Sequence, residues 1–234
     1  RPEYITRLQQ NHKAGSTYSY AGFDQLVAVS SGIIRHFLAP AQEMYSLAIT
    51  ELGANEDNIT SIKPSIQDEV IKKYSNNYLV GEFEKLKKDI DNNNTRQIQL
   101  EKLYRMIDSL GQLFHLQLTS NSSERRVFSV AITDTPDDEM NEIIDMGEQL
   151  GYFHKSTIGN KTGTGRNRLI ILSRILAPHF KLDATSFAGY KFMDSAKLRM
   201  AMIDTKRFLA QFKFTEDDSS SATQLLLFDG NNPI

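Results

Sequence analysis

The stretch Leu26-Val27-Ala28-Val29-Ser30-Ser31-Gly32-Ile33-Ile34-Arg35-His36-Phe37-Leu38 decides the fold of the N-terminal region. Its apolar residues recur at intervals of three and four, the spacing of a helix that buries one face. Gly32 interrupts this pattern, and glycine is the residue that most easily adopts the backbone angles of a tight turn. The stretch therefore predicts two helices joined by a turn at Gly32, with Arg35 on the second helix.

The composition is that of a soluble globular protein. The chain has 234 residues, a formal net charge of -2, 40% hydrophobic residues and no cysteine. The small charge gives no overall attraction to nucleic acid, so such binding requires a local basic patch. The lack of cysteine excludes disulfides and thiolate metal sites and fits a cytoplasmic location. No apolar run approaches the ~20 residues that cross a bilayer, and we expect no membrane contact.

The apolar pattern divides the chain into four parts and predicts a mainly α fold with a small β component. We expect a helical segment over residues 1–55, connecting helices over 56–95, a mixed domain over 96–212 and a flexible tail over 213–234. The predicted elements of the mixed domain are a helix around 98–114, strands at 126–132, 152–158 and 168–173, and helices at 137–150 and 195–212. The order of helix, strand, helix and glycine-tipped hairpin resembles a winged helix.

The residues Ser31-Gly32-Ile33-Ile34-Arg35 carry a resemblance to a known family. They are similar to the lid of the AAA+ ATPases of the origin-recognition-complex type, in which a winged-helix domain follows the lid. The segments 123–128 and 176–180 are similar to sequences of a bacterial branch of that family. The genes of some members of this branch lie beside anti-phage or mobile-element genes. The resemblance covers most of the chain. It implies a helical lid over residues 1–55, a winged-helix domain over 96–212 and a role in antiviral defence.

The resemblance also implies that Arg35 is the arginine called sensor 2, which binds ATP. A guanidinium can contact two oxygens of a γ-phosphate at once, so an arginine on a mobile lid reports whether that phosphate is present. No Gly-x-x-x-x-Gly-Lys-Ser/Thr loop occurs in the sequence. We therefore expect Mg-ATP as the cofactor of a parent ATPase, while this chain alone holds no cofactor and is not catalytic.

A basic segment lies between Gln149 and Leu182, where no acidic residue occurs. We predict DNA contacts, through phosphates or the minor groove, from its side chains Lys155, Lys161, Arg166, Arg168 and Arg174. The preceding segment, 134–148, has seven acidic residues and no lysine or arginine. Because phosphates repel such a helix, we expect the hairpin rather than this helix to contact DNA, with weak sequence preference.

The tail contains a short apolar motif that resembles the peptide by which proteins dock on the bacterial sliding clamp. We predict clamp binding through Gln224, Leu225, Leu227 and Phe228, presented by the acidic and serine-rich residues before them. The five histidines show no metal-ligand spacing, so no metal site is predicted.

The favoured function is the regulatory portion of an AAA+ ATPase, which couples nucleotide state to engagement of DNA. The expected partners are DNA, other AAA+ subunits or an effector protein, and the sliding clamp. Two alternatives remain open. One is a protein–protein interaction module whose acidic winged-helix face recruits a partner, and the other is a stand-alone winged-helix regulator that never meets ATP.

Overall fold

The computed structural model describes residues 20–52, 59–90, 94–120, 127–159, 165–185 and 189–212. Helices predominate in this part of the chain, and its strands form a small mixed sheet. The predicted class, mainly α with a small β component, is therefore confirmed. The chain divides into two compact units. The first unit is Arg1–Leu86 with Ser173–Ser186, and the second unit is Lys87–Leu172 with Phe187–Ile234.

The first unit opens with a helical hairpin. Helix α1 covers Phe23–Ser30 and helix α2 covers Ile34–Leu52. Between them Ser31 and Gly32 adopt left-handed backbone angles, with φ of 52° and 78°. The predicted turn at Gly32 is thus confirmed, and it depends on a conformation that glycine adopts without steric cost.

A long helical segment follows in the first unit. Helix α3 covers Pro64–Asn76, and Pro64 occupies the first helical position, where its missing N–H costs no hydrogen bond. The helix then widens into one π-helical turn, Asn77–Gly81, and continues as α4, Glu82–Asp89. π-helical turns of this kind are frequent at functional sites. The 3₁₀ turn Arg174–Leu176 packs against α1, α3 and the π-helical turn.

The second unit contains the predicted series of helix, strand, helix and hairpin. Its elements are α5 (Asn94–Thr119), β1 (Val127–Ile132), α6 (Asp138–Gln149), β2 (Phe153–Gly159), β3 (Arg166–Leu172), β4 (Gly189–Met193), α7 (Ser195–Ile203) and α8 (Thr205–Ala210). Strand β4 was not predicted. The single closing helix predicted at 195–212 is two helices, because Asp204 adopts an extended conformation and its carboxylate accepts the N–H of Arg207 to cap α8.

The sheet has the strand order β2-β3-β1-β4. Strands β2 and β3 form an antiparallel hairpin, β3 is antiparallel to β1, and β4 is parallel to β1. All six residues of β1 are buried, whereas β2 is mostly exposed beyond Phe153. Helix α6 lies close to β2 because Gly147 has no side chain; a Cβ there would meet the Phe153 ring at 2.4 Å.

The described helices offer no candidate for a membrane-spanning segment, since none combines the necessary length with sufficient apolar character.

Candidate nucleotide and nucleic-acid sites

Arg35 lies in the first turn of α2 and is exposed. It makes no ion pair with any residue that the structure describes. Four lysines of the same unit do form ion pairs with carboxylates, namely Lys63, Lys72, Lys73 and Lys85. Arg35 therefore presents a guanidinium whose charge the described carboxylates leave uncompensated.

An aromatic cluster lies beside Arg35. His36 is 1% exposed, and its ring meets the rings of Tyr74 and Tyr78 edge-on, with centroids 5.9 and 4.7 Å away. The His36 Nδ1 and the Tyr74 hydroxyl are 3.1 Å apart and share a hydrogen bond. Tyr78 belongs to the π-helical turn. The cluster fixes the rotation of α2 about its axis, and with it the side of the helix on which Arg35 emerges.

The ionisation of this cluster follows from its burial and from the neighbouring charge. Burial, and secondarily the Arg35 guanidinium, lowers the pKa of His36 to about 4. Burial raises the pKa of Tyr74 and of Tyr78, and Arg35 partly opposes that shift in both. His36 is therefore neutral at physiological pH and adds no positive charge beside Arg35.

The hairpin carries three of the predicted DNA-binding residues within the described chain, Lys155, Arg166 and Arg168. The strand register pairs Lys155 with Ile170, Thr157 with Arg168 and Gly159 with Arg166. Residues opposite each other, and every second residue along a strand, share a face. All three cationic side chains therefore lie on one face of the hairpin.

That face of the hairpin is the one turned towards α6. Lys155 forms ion pairs with Asp145 and Glu148 of α6, and the contact to Asp145 measures 2.9 Å. Hydrogen bonding to Glu148 raises the pKa of Lys155. Arg168 donates a hydrogen bond to the Asn141 amide oxygen, also on α6.

The three cations thus differ in how far their charge is compensated. The charge of Lys155 is balanced by α6, whereas Arg166 and Arg168 are exposed and have no ion pair within the described part of the protein. Lys161 lies outside the described residues.

Arg174 belongs to the first unit and not to the unit of the hairpin. It opens the 3₁₀ turn after β3, and its guanidinium donates a 2.9 Å hydrogen bond to the Ala184 carbonyl oxygen. The DNA contact predicted for Arg174 therefore falls in a different unit from the contacts predicted for the hairpin.

The acidity of α6 is partly balanced by residues that sequence analysis did not connect with it. Arg199 of α7 pairs with Asp137 and, at 3.0 Å, with Glu139, which also pairs with Lys102 of α5. The hydrogen bond from Lys102 lowers the pKa of Glu139, and the hydrogen bond from the Met140 N–H lowers that of Asp137. These partners lie 37 to 62 residues away from α6 in the sequence, so no local pattern could reveal them.

The remaining predicted site lies beyond what the structure describes. Gln224, Leu225, Leu227 and Phe228 fall outside the described residues, so the clamp motif stays a prediction from sequence. Within the described ranges no group of three His, Cys, Asp or Glu side chains could hold a metal ion.

Comparison with known proteins assigns the chain to a family. A family model described as ORC-CDC6-like matches residues 1–192. The chain therefore belongs to the ORC-CDC6-like family and is an AAA+ ATPase-related protein. No curated protein and no solved structure shows significant similarity to it.

Proposed function

We propose that this chain is the regulatory portion of an ORC-CDC6-like ATPase, in which Arg35 senses bound ATP and the β2–β3 hairpin contacts DNA. The observation that carries the proposal is the exposed guanidinium of Arg35, which no described carboxylate neutralises. Family membership supports it, because residues 1–192 include both Arg35 and the hairpin.

The chemistry of Arg35 suits a nucleotide phosphate. A guanidinium offers two parallel N–H donors to two phosphate oxygens, and it stays charged at every physiological pH. ATP would supply the concentrated negative charge that attracts this group. The exposed position in the first turn of α2 leaves the donors available to a phosphate held by another part of the ATPase.

The hairpin suits a contact with the DNA backbone. Arg166 and Arg168 are exposed, two residues apart on β3, and lie on the same face of the β2–β3 hairpin. Arginines at this spacing on a ribbon can reach neighbouring phosphates or enter a minor groove. Lys155 contributes less, since Asp145 and Glu148 already balance its charge.

The architecture of the second unit supports a winged-helix variant. Its helix, strand, helix and hairpin follow in the winged-helix order, and β1 pairs with β3 of the hairpin. The parallel strand β4 adds to that pattern on the other side of β1. The hairpin then corresponds to the wing.

The internal ion pairs of α6 bear on the alternative of an acidic partner-binding face. Asp137, Glu139, Asp145 and Glu148 all have basic partners within the same unit. Pairing within the unit weakens the attraction of these four carboxylates for a basic partner. We therefore prefer the hairpin over α6 as the recognition element.

The nucleotide part of the proposal is tested by ATP hydrolysis in the complete ATPase that carries this chain. We expect Arg35→Ala to lower kcat by at least about tenfold, since it removes a charged donor from the reacting phosphate. The matched control is Lys85→Ala, which removes an exposed cation of the same unit whose pairing with Glu82 contributes little. Equal hydrolysis by the Arg35 and Lys85 variants, both folded by circular dichroism, would remove Arg35 from the mechanism.

The DNA part is tested by a salt titration of duplex binding. We expect the double variant Arg166→Glu/Arg168→Glu to bind more weakly and to reduce the slope of log K against log salt by about 2, one for each lost phosphate contact. Lys206→Glu on α8 reverses an exposed cation of the same unit outside the hairpin and should retain the wild-type slope. A slope unchanged by the hairpin variant would exclude these arginines as the contact.

A further inference from the structure

One segment joins the hairpin to the unit that contains Arg35. Strand β3 ends at Leu172 and β4 begins at Gly189, and both pair with β1. Because β3 runs antiparallel and β4 parallel to β1, the end of β3 and the start of β4 lie at the same end of the sheet. Between them Ser173–Thr185, here called the linking loop, belongs to the first unit.

Two serines fasten the linking loop to the helices of the first unit. The backbone N–H of Arg174 donates to the Ser31 Oγ at 3.3 Å. The Ser75 Oγ donates to the Ile175 carbonyl oxygen at 2.6 Å and accepts the His179 N–H at 3.1 Å. Ser75 is fully buried, so the Ile175 carbonyl oxygen and the His179 N–H would each lose their partner if this contact opened.

The rest of the linking loop is also firmly packed. Ile175, Leu176 and Ala177 are fully buried, and the Tyr20 hydroxyl is within hydrogen-bond distance of the Ala177 and Leu182 carbonyl oxygens. A segment held in this way moves together with the elements that it contacts, because a well-packed interior resists gradual deformation.

The contact at Ser31 lies next to α2, the helix that carries Arg35. Ser31 and Gly32 form the left-handed turn that ends at the first residues of α2, and Arg35 follows in the first turn of that helix. At the other end, Ser173 directly follows the strand that carries Arg166 and Arg168. The backbone thus runs from β3 directly into Arg174, whose N–H donates to the residue that precedes the Arg35 helix by one turn.

We infer that Ser31 and Ser75 are positioning residues, which tie the linking loop to the Arg35 helix and so couple the hairpin to the nucleotide-sensing arginine. This inference rests on the proposed function, and it names the part of the fold that would connect its two sites. Neither serine contacts DNA or nucleotide in this scheme; both act through the backbone of the linking loop.

Hydrogen exchange in the isotope-labelled whole chain tests the inference. The readout is the exchange rate of the Ile33 and His36 amides, which donate to the Ser30 and Ile33 carbonyl oxygens at the start of α2. Rates are compared with and without a saturating short DNA duplex. We expect DNA to change these rates by about fivefold or more in the wild type, the lower end of ordinary coupling between sites.

The variants separate coupling from stability. Ser31→Ala and Ser75→Ala, made singly, should reduce the effect of DNA on these amides to less than about twofold while leaving DNA affinity intact. The matched control is Ser109→Ala in the second unit, another fully buried serine, whose Oγ donates to the Ala201 carbonyl oxygen. It should keep the full effect of DNA. An effect that persists in both serine variants, or that is absent from the wild type although DNA binds, overturns the inference.

A second arm needs no DNA, so that it remains decisive if the proposed DNA contact fails. Gly147→Ala places a Cβ against the ring of Phe153, the first residue of β2, so the ring or the backbone at the start of the hairpin must shift, while the first unit is unaltered. We expect Gly147→Ala, with folding confirmed by circular dichroism, to change exchange at Ile33 and His36. Adding Ser31→Ala should cancel that change. An unchanged rate in Gly147→Ala, or a change that Ser31→Ala leaves intact, counts against the linking loop even when the chain does not bind DNA.

Discussion

Acidification is expected to destabilise the first unit through two histidines. Burial, and secondarily the charge of Arg35, lowers the pKa of His36 from 6.5 to about 4. Burial lowers the pKa of His179 from 6.5 to about 4 as well. Above pH 6.5 both rings are neutral in the folded and the unfolded chain. Between pH 6.5 and about 4 only the unfolded chain gains these protons, so stability falls as the pH falls.

The loss of stability follows from the difference between the folded and unfolded pKa of each histidine. Each histidine contributes about 1.4 kcal/mol per pH unit within that window, and about 3 kcal/mol in all. Together they remove about 6 kcal/mol, which is comparable with the whole stability of a small domain. The Tyr74 hydroxyl near His36 and the Asn76 amide near His179 carry no charge that could offset the loss.

Urea unfolding followed by far-ultraviolet circular dichroism measures this effect, and proton NMR titration of the two rings checks the pKa values. We expect His36→Phe and His179→Phe each to remove about half of the pH dependence, and the double variant to remove nearly all of it. The single variants serve as controls for one another, because each keeps the other titrating ring. The reasoning is refuted if the double variant retains the slope of the wild type between pH 6.5 and about 4.

Three further predictions concern packing and the tail. Gly147→Ala should lower the free energy of unfolding by about 1–3 kcal/mol in a urea titration, because its Cβ overlaps the Phe153 ring; an unchanged midpoint would show that the ring yields freely. Tyr20→Phe should cost about 1–3 kcal/mol in the same titration, since its buried hydroxyl donates its one proton to the Leu182 carbonyl oxygen at 2.9 Å, and a neutral effect would mean that this carbonyl finds another donor. The double change Leu227→Ala/Phe228→Ala should abolish recovery of the bacterial sliding clamp in a pull-down, because it removes the apolar anchors, and equal recovery would end the clamp proposal.

The local elements of the fold were predictable because each has a local cause. The turn at Gly32 needs a residue that adopts positive φ, and the sequence shows a glycine at that position. Helix α6 and its hairpin were equally visible from the spacing of their apolar residues. Strand β4 was missed because a five-residue segment gains its stability from pairing with β1, about 60 residues earlier in the chain.

Some features of the candidate sites were likewise visible in the sequence, and others depend on tertiary contacts. Arg35 was predicted to bind ATP as sensor 2; the structure places it exposed in the first turn of α2, and its contact with nucleotide stays a prediction. Arg174 was predicted to contact DNA as part of the basic segment; its side chain donates to the Ala184 carbonyl oxygen within the first unit, and its contact with DNA stays a prediction. The ion pairs of Lys102 and Arg199 with Glu139 depend on tertiary contact, which charge counting along α6 cannot anticipate.

We propose that ATP and DNA act on the same protein through Arg35. The most direct test of this proposal is the effect of ATP on DNA affinity in the complete ATPase, compared between the wild type and Arg35→Lys. Lysine keeps the positive charge but loses the paired donors that grip two phosphate oxygens. We expect ATP to change the DNA affinity of the wild type by about fivefold or more, and to leave that of the variant nearly unchanged. The same ATP effect in both proteins would show that Arg35 does not connect ATP binding to DNA affinity.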